Sequence, residues 1–241
     1  MPMLQQAINQ TGTTLIHSFM RLSLDLNIEH QMPFPAGAKI IAANHPTTTD
    51  PFFILPLAGE PTIILITEMA FKSPLLGPIL RASGHIPVLQ DNGRPAFDEA
   101  LRRLEAGQTV AIFPEGSLSP REGGLARLRT GAVRLALSAG VPVIPVGIAL
   151  ERERIEYVDM TCGDMSETAR WYLHGPYVVT TGEPLSFSGS IEDWDYVRSM
   201  SGLLSNRIEQ LASESTRRLE AQRMARTLPV ANRGMLARLG F

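Results

Sequence analysis

The stretch from Lys39 to Phe52 constrains this chain more than any other. Ile40-Ile41-Ala42-Ala43 is a short unbroken apolar run, the pattern of a strand covered on both faces. It stops at Asn44-His45-Pro46, because proline has no amide hydrogen to extend a central ladder. Three threonines follow, then Asp50-Pro51, an N-cap type residue before a proline suited to the first helical position. Strand, polar turn and helix start thus fall within about a dozen residues, the geometry of an α/β unit that opens its ligand site at a strand's C-terminal end. Two readings of His45 and Asp50 remain open here. Asp50 caps a helix and His45 fills a turn, or the carboxylate orients an imidazole that serves as a general base near neutral pH.

The second informative stretch repeats that logic. Thr109 to Phe113 reads as a strand running into Pro114-Glu115-Gly116-Ser117. Either this is a plain turn, or Gly116 lets the backbone approach a ligand while Glu115 accepts hydrogen bonds from a hydroxylated substrate. Further strands are expected over Thr62–Thr67, a short edge strand at Ile86–Val88, Val141–Ile148 and Tyr177–Gly182. Pro142 and Pro145 predict a strand start and a bulge in the third of these. Helices are expected at Phe52–Leu57, in short pieces within Glu68–Leu80, at Pro95–Ala106 and at Leu125–Ser138. On the last of these, Arg127, Arg129 and Arg134 form a solvated face or help to hold an anion. Glu151 to Trp171 has no clear period.

At the N-terminus, Leu4, Ile8, Leu15, Phe19, Leu22 and Leu26 form a helical stripe interrupted by Gly12. It either docks on the domain or lies in a membrane interface. Such interfacial helices carry basic residues on the polar face, and Arg21 is nearly alone there. From Ser190 onward Trp194, Val197, Ser201, Leu204, Ile208 and Leu211 mark a second helical stripe. Residues 198–241 carry about +5 and the rest of the chain about −7, so the C-terminal end is a solvated helix and tail or a basic segment suited to anionic lipid. The chain divides accordingly into 1–30, an amphipathic helical segment; 31–190, an α/β domain; and 191–241, a helix and basic tail.

Several function classes are disfavoured. A net charge of −2 gives no global field for nucleic acid. Cys162 is the sole cysteine, which excludes an internal disulfide and a cysteine-built zinc site, and the five histidines show no helical ligand spacing. There is neither a Walker loop nor a Gly-x-Gly-x-x-Gly fingerprint, and no Gly-x-Ser-x-Gly nucleophile elbow. No signal-peptide pattern and no apolar run of about 18 residues is present, so no transmembrane span is expected.

Taken together, Asn44-His45-Pro46 with Asp50, Phe113-Pro114-Glu115-Gly116-Ser117 and Val141-Pro142-Val143-Ile144-Pro145-Val146 resemble, in order and spacing, the motifs of the glycerophospholipid acyltransferases, the family of 1-acylglycerol-3-phosphate O-acyltransferase. The resemblance spans roughly Lys39 to Ile148. It implies a mixed, mostly parallel central sheet flanked by helices, and transfer of a fatty acyl group from acyl-CoA or acyl-carrier protein to a hydroxyl of a lipid acceptor, with no further cofactor and no metal. His45 would be the base and Asp50 its orienter; Asn44, Phe113, Pro114, Glu115, Gly116, Ser117, Lys72 and Gly84 would line the substrate site. It also implies peripheral contact with the inner face of the membrane. Two departures stand out: Gln90 and Leu118 occupy places where the family often has arginines, the natural phosphate contacts. Arg81, Arg94, Arg121 or Arg127 could compensate, and the acceptor stays open among lysophospholipids, glycolipids and unphosphorylated alcohols. Two further readings are a thioesterase, with water in place of the alcohol, and an inactive lipid-binding module of the same fold.

Overall fold

The structure is a computed structural model that describes residues 22–55, 57–74, 76–162 and 165–227. Its strands are β1 (Leu24–His30), β2 (Ile40–Ala43), β3 (Thr62–Thr67), β4 (Ile86–Val88), β5 (Thr109–Ile112), β6 (Val143–Leu150), β7 (Glu156–Cys162), β8 (Met165–Trp171) and β9 (Gly175–Thr181). The α-helices of the described residues are α1 (Asp50–Ile54), α2 (Glu68–Lys72), α3 (Leu76–Ala82), α4 (Arg94–Glu105), α5 (Gly131–Ala139) and α6 (Trp194–Thr227). Seven strands form one sheet in the order β1-β9-β6-β2-β5-β3-β4, and β7 and β8 form a separate antiparallel pair. Within the sheet only β6 and β9 pair antiparallel. The sheet is therefore mixed and mostly parallel, with β2 at its centre.

Burial explains why β2 reads as an unbroken apolar run. Ile40 and Ala42 enter the core beneath α4, α5 and the first half of α6, whereas Ile41 and Ala43 enter the opposite core with Phe53 and Ile54 of α1. Successive residues of a strand point to opposite faces, so a sheet covered on both sides needs apolar residues at every position. Strand β6 is buried along its whole length. Pro145 stays within it, pairing with Ala42, and Gly182 N donates to Pro145 O at 2.8 Å. On that side the chain leaving β9 stays with β6 as far as Val143 and Leu185, which exchange both backbone hydrogen bonds at 2.8 Å; one extra residue between Thr181 and Leu185 makes the bulge expected at the proline. Helix α6 lies along β6 and β9. Gly147 makes that approach possible, since a Cβ there would overlap the backbone at Leu211 and Ala212.

Three expectations are corrected, and one stretch left without a period is resolved. The N-terminal helical stripe cannot run through Leu26, because Leu24–His30 is a strand paired in parallel with β9. Leu22, Leu24, Leu26 and Ile28 alternate with Ser23, Asp25, Asn27 and Glu29, a period of two that outweighs the helical spacing. The rest of that stripe, and the tail from residue 228, lie outside the described residues. The helix expected from Leu125 starts only at Gly131, since the preceding amides bond elsewhere: Ala126 N donates to the Glu115 carboxylate and Arg129 N to Pro114 O. The uncertain stretch after Glu151 is a 3₁₀ turn, Arg152–Arg154, followed by the β7–β8 hairpin. Trp194 is 54% exposed rather than inward, with the Arg134 guanidinium 5.2 Å from its ring centroid. No helix among the described residues is long and apolar enough to cross a membrane.

The edge next to β4 carries a pH-sensitive contact. His85 Nδ1 accepts a hydrogen bond from Ile64 N at 3.2 Å, and burial pushes the imidazole pKa down to about 4. The folded chain keeps this ring neutral while the unfolded chain protonates it below about pH 6.5. Stability from this site is therefore complete above about pH 6.5 and falls as the pH drops toward 4, by on the order of 3 kcal/mol in all. Urea unfolding across that range should show a smaller acid-side loss in His85→Gln than in the parent; equal slopes would contradict the assignment.

Candidate active site

The C-terminal ends of β2 and β5 lie side by side, and the site is built from the two turns that leave them. His45 follows β2 and Asp50 opens α1, bringing His45 Nδ1 and Asp50 Oδ2 to 3.0 Å. Asp50 is fully buried, and both its oxygens are occupied. Oδ2 also accepts from Thr47 N at 2.7 Å; Oδ1 accepts from Thr47 Oγ1 at 2.6 Å and from the Tyr177 hydroxyl at 2.9 Å. A carboxylate only accepts, so the imidazole carries its proton on Nδ1 and leaves an Nε2 lone pair available. No group among the described residues hydrogen-bonds Nε2. Burial, then the charge of Asp50, hold the Tyr177 phenol well above its usual pKa, which keeps it a donor.

Phe113 fixes the plane of the ring. Its ring centroid is 3.9 Å from that of His45, with the two planes 18° apart. The backbone of His45 is fixed from the same turn: His45 N lies 3.0 Å from both Glu115 Oε1 and Ser119 Oγ, and Ser119 N donates to His45 O at 2.8 Å. Glu115 is buried, not exposed to a substrate. Its Oε1 takes the Ser119 hydroxyl at 2.6 Å and its Oε2 takes Ala126 N at 2.7 Å. These two donors and His45 N join the β2 turn, the β5 turn and the segment before α5 through one carboxylate.

The remaining residues singled out from sequence separate into inner and outer groups. Asn44 is buried, and its side-chain amide bonds Ile148 twice, accepting from N at 2.7 Å and donating to O at 3.0 Å, which locks β6 to the turn. Pro114 is buried beneath the turn, while Gly116 and Ser117 are exposed at its tip. Lys72 pairs with Glu68 at 3.3 Å on α2, at the C-terminal end of β3. Gly84 packs near Ile63 and Arg103, level with the start of β3 and beyond it from β2. Neither Lys72 nor Gly84 bonds to His45, Asp50 or Glu115. Among the described residues no three His, Cys, Asp or Glu side chains gather as a metal site.

Sequence reading missed the residues that brace these turns from far along the chain. Thr48 N donates to Arg170 O at 2.8 Å and Arg170 N to Thr48 Oγ1 at 2.9 Å, so β8 grips the threonine turn. Tyr172 N donates to Thr49 Oγ1 at 3.3 Å, and the Arg170 guanidinium reaches Ser119 O at 2.6 Å. Tyr172 is itself buried, and burial pushes its phenol up to about 12. The one signal that could have found them is the run Thr47-Thr48-Thr49: three hydroxyls in a turn call for three partners.

The comparisons with known proteins fit this arrangement. The family model described as Acyltransferase matches residues 25–149, more than half of the chain. A 1-acyl-sn-glycerol-3-phosphate acyltransferase of Limnanthes douglasii is 32% identical over 111 residues, covering 44% of this chain and 39% of the plant protein. The protein of that name from Escherichia coli K12 is 28% identical over 151 residues, covering 59% of this chain and 61% of its own length. The one from Haemophilus influenzae is 26% identical over 198 residues, 78% of this chain and 77% of the relative. The chain therefore spans from about two fifths to three quarters of these relatives. The crystal structure of PlsC, the 1-acyl-sn-glycerophosphate acyltransferase of Thermotoga maritima, superposes with a TM-score of 0.59 at 22% identity, covering 86% of this chain and 79% of that one, and so shares its fold. With the family model matched from Asp25 to Ala149 across both turns, this chain belongs to the acyltransferase family.

Proposed function

We propose that the protein is an O-acyltransferase that moves a fatty acyl group from a thioester, acyl-CoA or acyl-carrier protein, to a hydroxyl of a lysophospholipid. The observation that carries this reading is the His45–Asp50 pair, with Asp50 saturated by donors and His45 Nε2 left without a partner. Nε2 takes the proton of the acceptor hydroxyl as its oxygen attacks the thioester carbonyl. The tetrahedral intermediate collapses, the carbon–sulfur bond breaks, and the imidazolium returns the proton to the departing thiolate. Asp50 stabilises the imidazolium formed between those two steps and holds the ring in the productive tautomer. No covalent acyl-enzyme is needed. The lysophospholipid acceptor is supported by the names of the relatives, which act on 1-acyl-sn-glycerol 3-phosphate.

Glu115 acts through His45 rather than on the acceptor, because its oxygens are occupied by Ser119, His45 N and Ala126 N.

Thiol release from palmitoyl-CoA with lysophosphatidate should fall by at least about a thousandfold in His45→Ala, the scale of losing a general base and the positioning it gives, while the variant still unfolds cooperatively, at a temperature lowered by the loss of one donor to Asp50. Turnover near that of the parent would remove the mechanism. Release by the parent without any acceptor would indicate a thioesterase instead.

Glu115→Gln removes the charge from all three donors and sets an NH2 group, itself a donor, against at least one of them, so stability should drop by about 1–3 kcal/mol. Its kcat should fall about tenfold or more while KM for the acceptor stays nearly constant. A raised KM with kcat intact would mean that Glu115 binds the acceptor after all.

A further inference from the structure

The β7–β8 hairpin lies beyond the stretch that the family model matches, yet one of its residues touches both turns that hold the imidazole. That residue is Arg170. Its backbone pairs with Thr48: Arg170 N donates to Thr48 Oγ1 at 2.9 Å, and Arg170 O accepts from Thr48 N at 2.8 Å. Its side chain goes further, with Nη1 2.6 Å from Ser119 O in the β5 turn and 3.5 Å from Pro46 O in the β2 turn. Pro46 follows His45 directly. Ser119 holds His45 twice, its amide donating to His45 O at 2.8 Å and its hydroxyl lying 3.0 Å from His45 N. One guanidinium thus stands between the carbonyls of the two segments that fix the imidazole.

No carboxylate pairs with this cation among the described residues. Its Nε is buried and has no hydrogen-bond partner. A buried N–H without a partner is destabilising, and a side chain free to turn to water would avoid it. The charge is directed instead at backbone carbonyls, where an ionised donor makes a stronger bond than a neutral one. Fastening the hairpin does not require it, because the two backbone bonds to Thr48 already do so. What the guanidinium adds is a link from the β2 turn to the β5 turn.

We propose that Arg170 is a positioning residue for acyl transfer: its guanidinium sets the spacing of the β2 and β5 turns, and with it the place of His45 Nε2 against the acceptor hydroxyl. This rests on the acyl-transfer reading above, in which Nε2 takes the acceptor's proton. Arg170 acts through Ser119 and Pro46 and not on the substrate. A reacting group misplaced by about 1 Å loses on the order of a hundredfold in rate. The loss of such a residue therefore appears in kcat, whereas the loss of a group that only binds acceptor or donor appears in KM.

The test compares the parent with Arg170→Ala, Arg170→Lys and Thr168→Ala, the last removing a 2.7 Å side-chain hydrogen bond to Asp159 within the same hairpin. Rates are taken per mole of folded protein, below the unfolding transition of the least stable variant. With palmitoyl-CoA and lysophosphatidate, kcat should fall about tenfold or more in Arg170→Ala, with KM for both substrates within about twofold. Arg170→Lys, which keeps the charge without the planar fork, should recover part of the loss, and Thr168→Ala should match the parent. Where Arg170→Ala does not fold, Arg170→Gln, shorter and uncharged but still a donor, is read in its place. An unchanged kcat, a raised KM with kcat intact, or an equal loss of kcat in Thr168→Ala would overturn the proposal. A readout without turnover is the imidazole signal of His45 in the proton–nitrogen NMR spectrum, identified by its absence from His45→Ala. It should shift in Arg170→Ala and keep its place in Thr168→Ala. If no acceptor supports thiol release by the parent, the acyl-transfer reading fails, and the imidazole signal still decides whether Arg170 positions His45; an unmoved signal in Arg170→Ala would show that it does not.

Discussion

Everything at this site depends on the buried carboxylate of Asp50. Taking a carboxylate out of water costs several kcal/mol unless donors replace the lost solvent. Here four do so, from three places in the chain: Thr47 twice, His45 beside it, and Tyr177 from β9. Each oxygen takes two of them, and removing any one takes a donor from a buried charge, so the turn, the first helix and the antiparallel side of the sheet are tied to one geometry. Tyr177 is held in turn by Phe53 of α1, edge-on with ring centroids 4.8 Å apart. The sheet order follows the same need, because β9 must run beside β6 for its tyrosine to lie under the β2 turn.

A second buried carboxylate does for the backbone what the first does for the ring. Glu115 and Ser119 together hold His45 N, while Phe113 stacks on the imidazole. The imidazole is thus fixed from one side by the β2 turn and from the other by the β5 turn. Strand β8 closes the arrangement by gripping Thr48 and Thr49 from outside. Positioning of this kind is where an enzyme gains rate without new chemistry, since a ring held in its reactive orientation loses no entropy on the way to the transition state.

Much of this was legible in the sequence, and the limits have physical causes. The apolar runs at Ile40–Ala43 and Thr62–Thr67 announced buried strands, and the five-residue interval from His45 to Asp50 announced a turn able to bring the two side chains together. Strand β1 was overlooked because Leu22, Leu24, Leu26 and Ile28 satisfy a period of two while their neighbours upstream satisfy a helical one. The segment before α5 has helical spacing, yet its amides are drawn to Glu115 and Pro114, a tertiary demand that no local pattern records. Tyr177 and Arg170 sit more than a hundred residues from the β2 turn that they support. Glu115 was visible as a site residue, but sequence could not tell an outward carboxylate from an inward one. Lys72 and Gly84 came from the family resemblance alone, and the structure keeps both apart from the His45 hydrogen-bond network.

The proposal that an oriented imidazole takes the acceptor's proton while the acyl group passes straight from the thioester to the hydroxyl is tested by following radiolabelled palmitate from palmitoyl-CoA in a rapid-quench experiment with and without lysophosphatidate. Label should appear only in phosphatidate, only when the acceptor is present, and never on the protein. Label trapped on the protein, or released as free palmitate when the acceptor is absent, would contradict it.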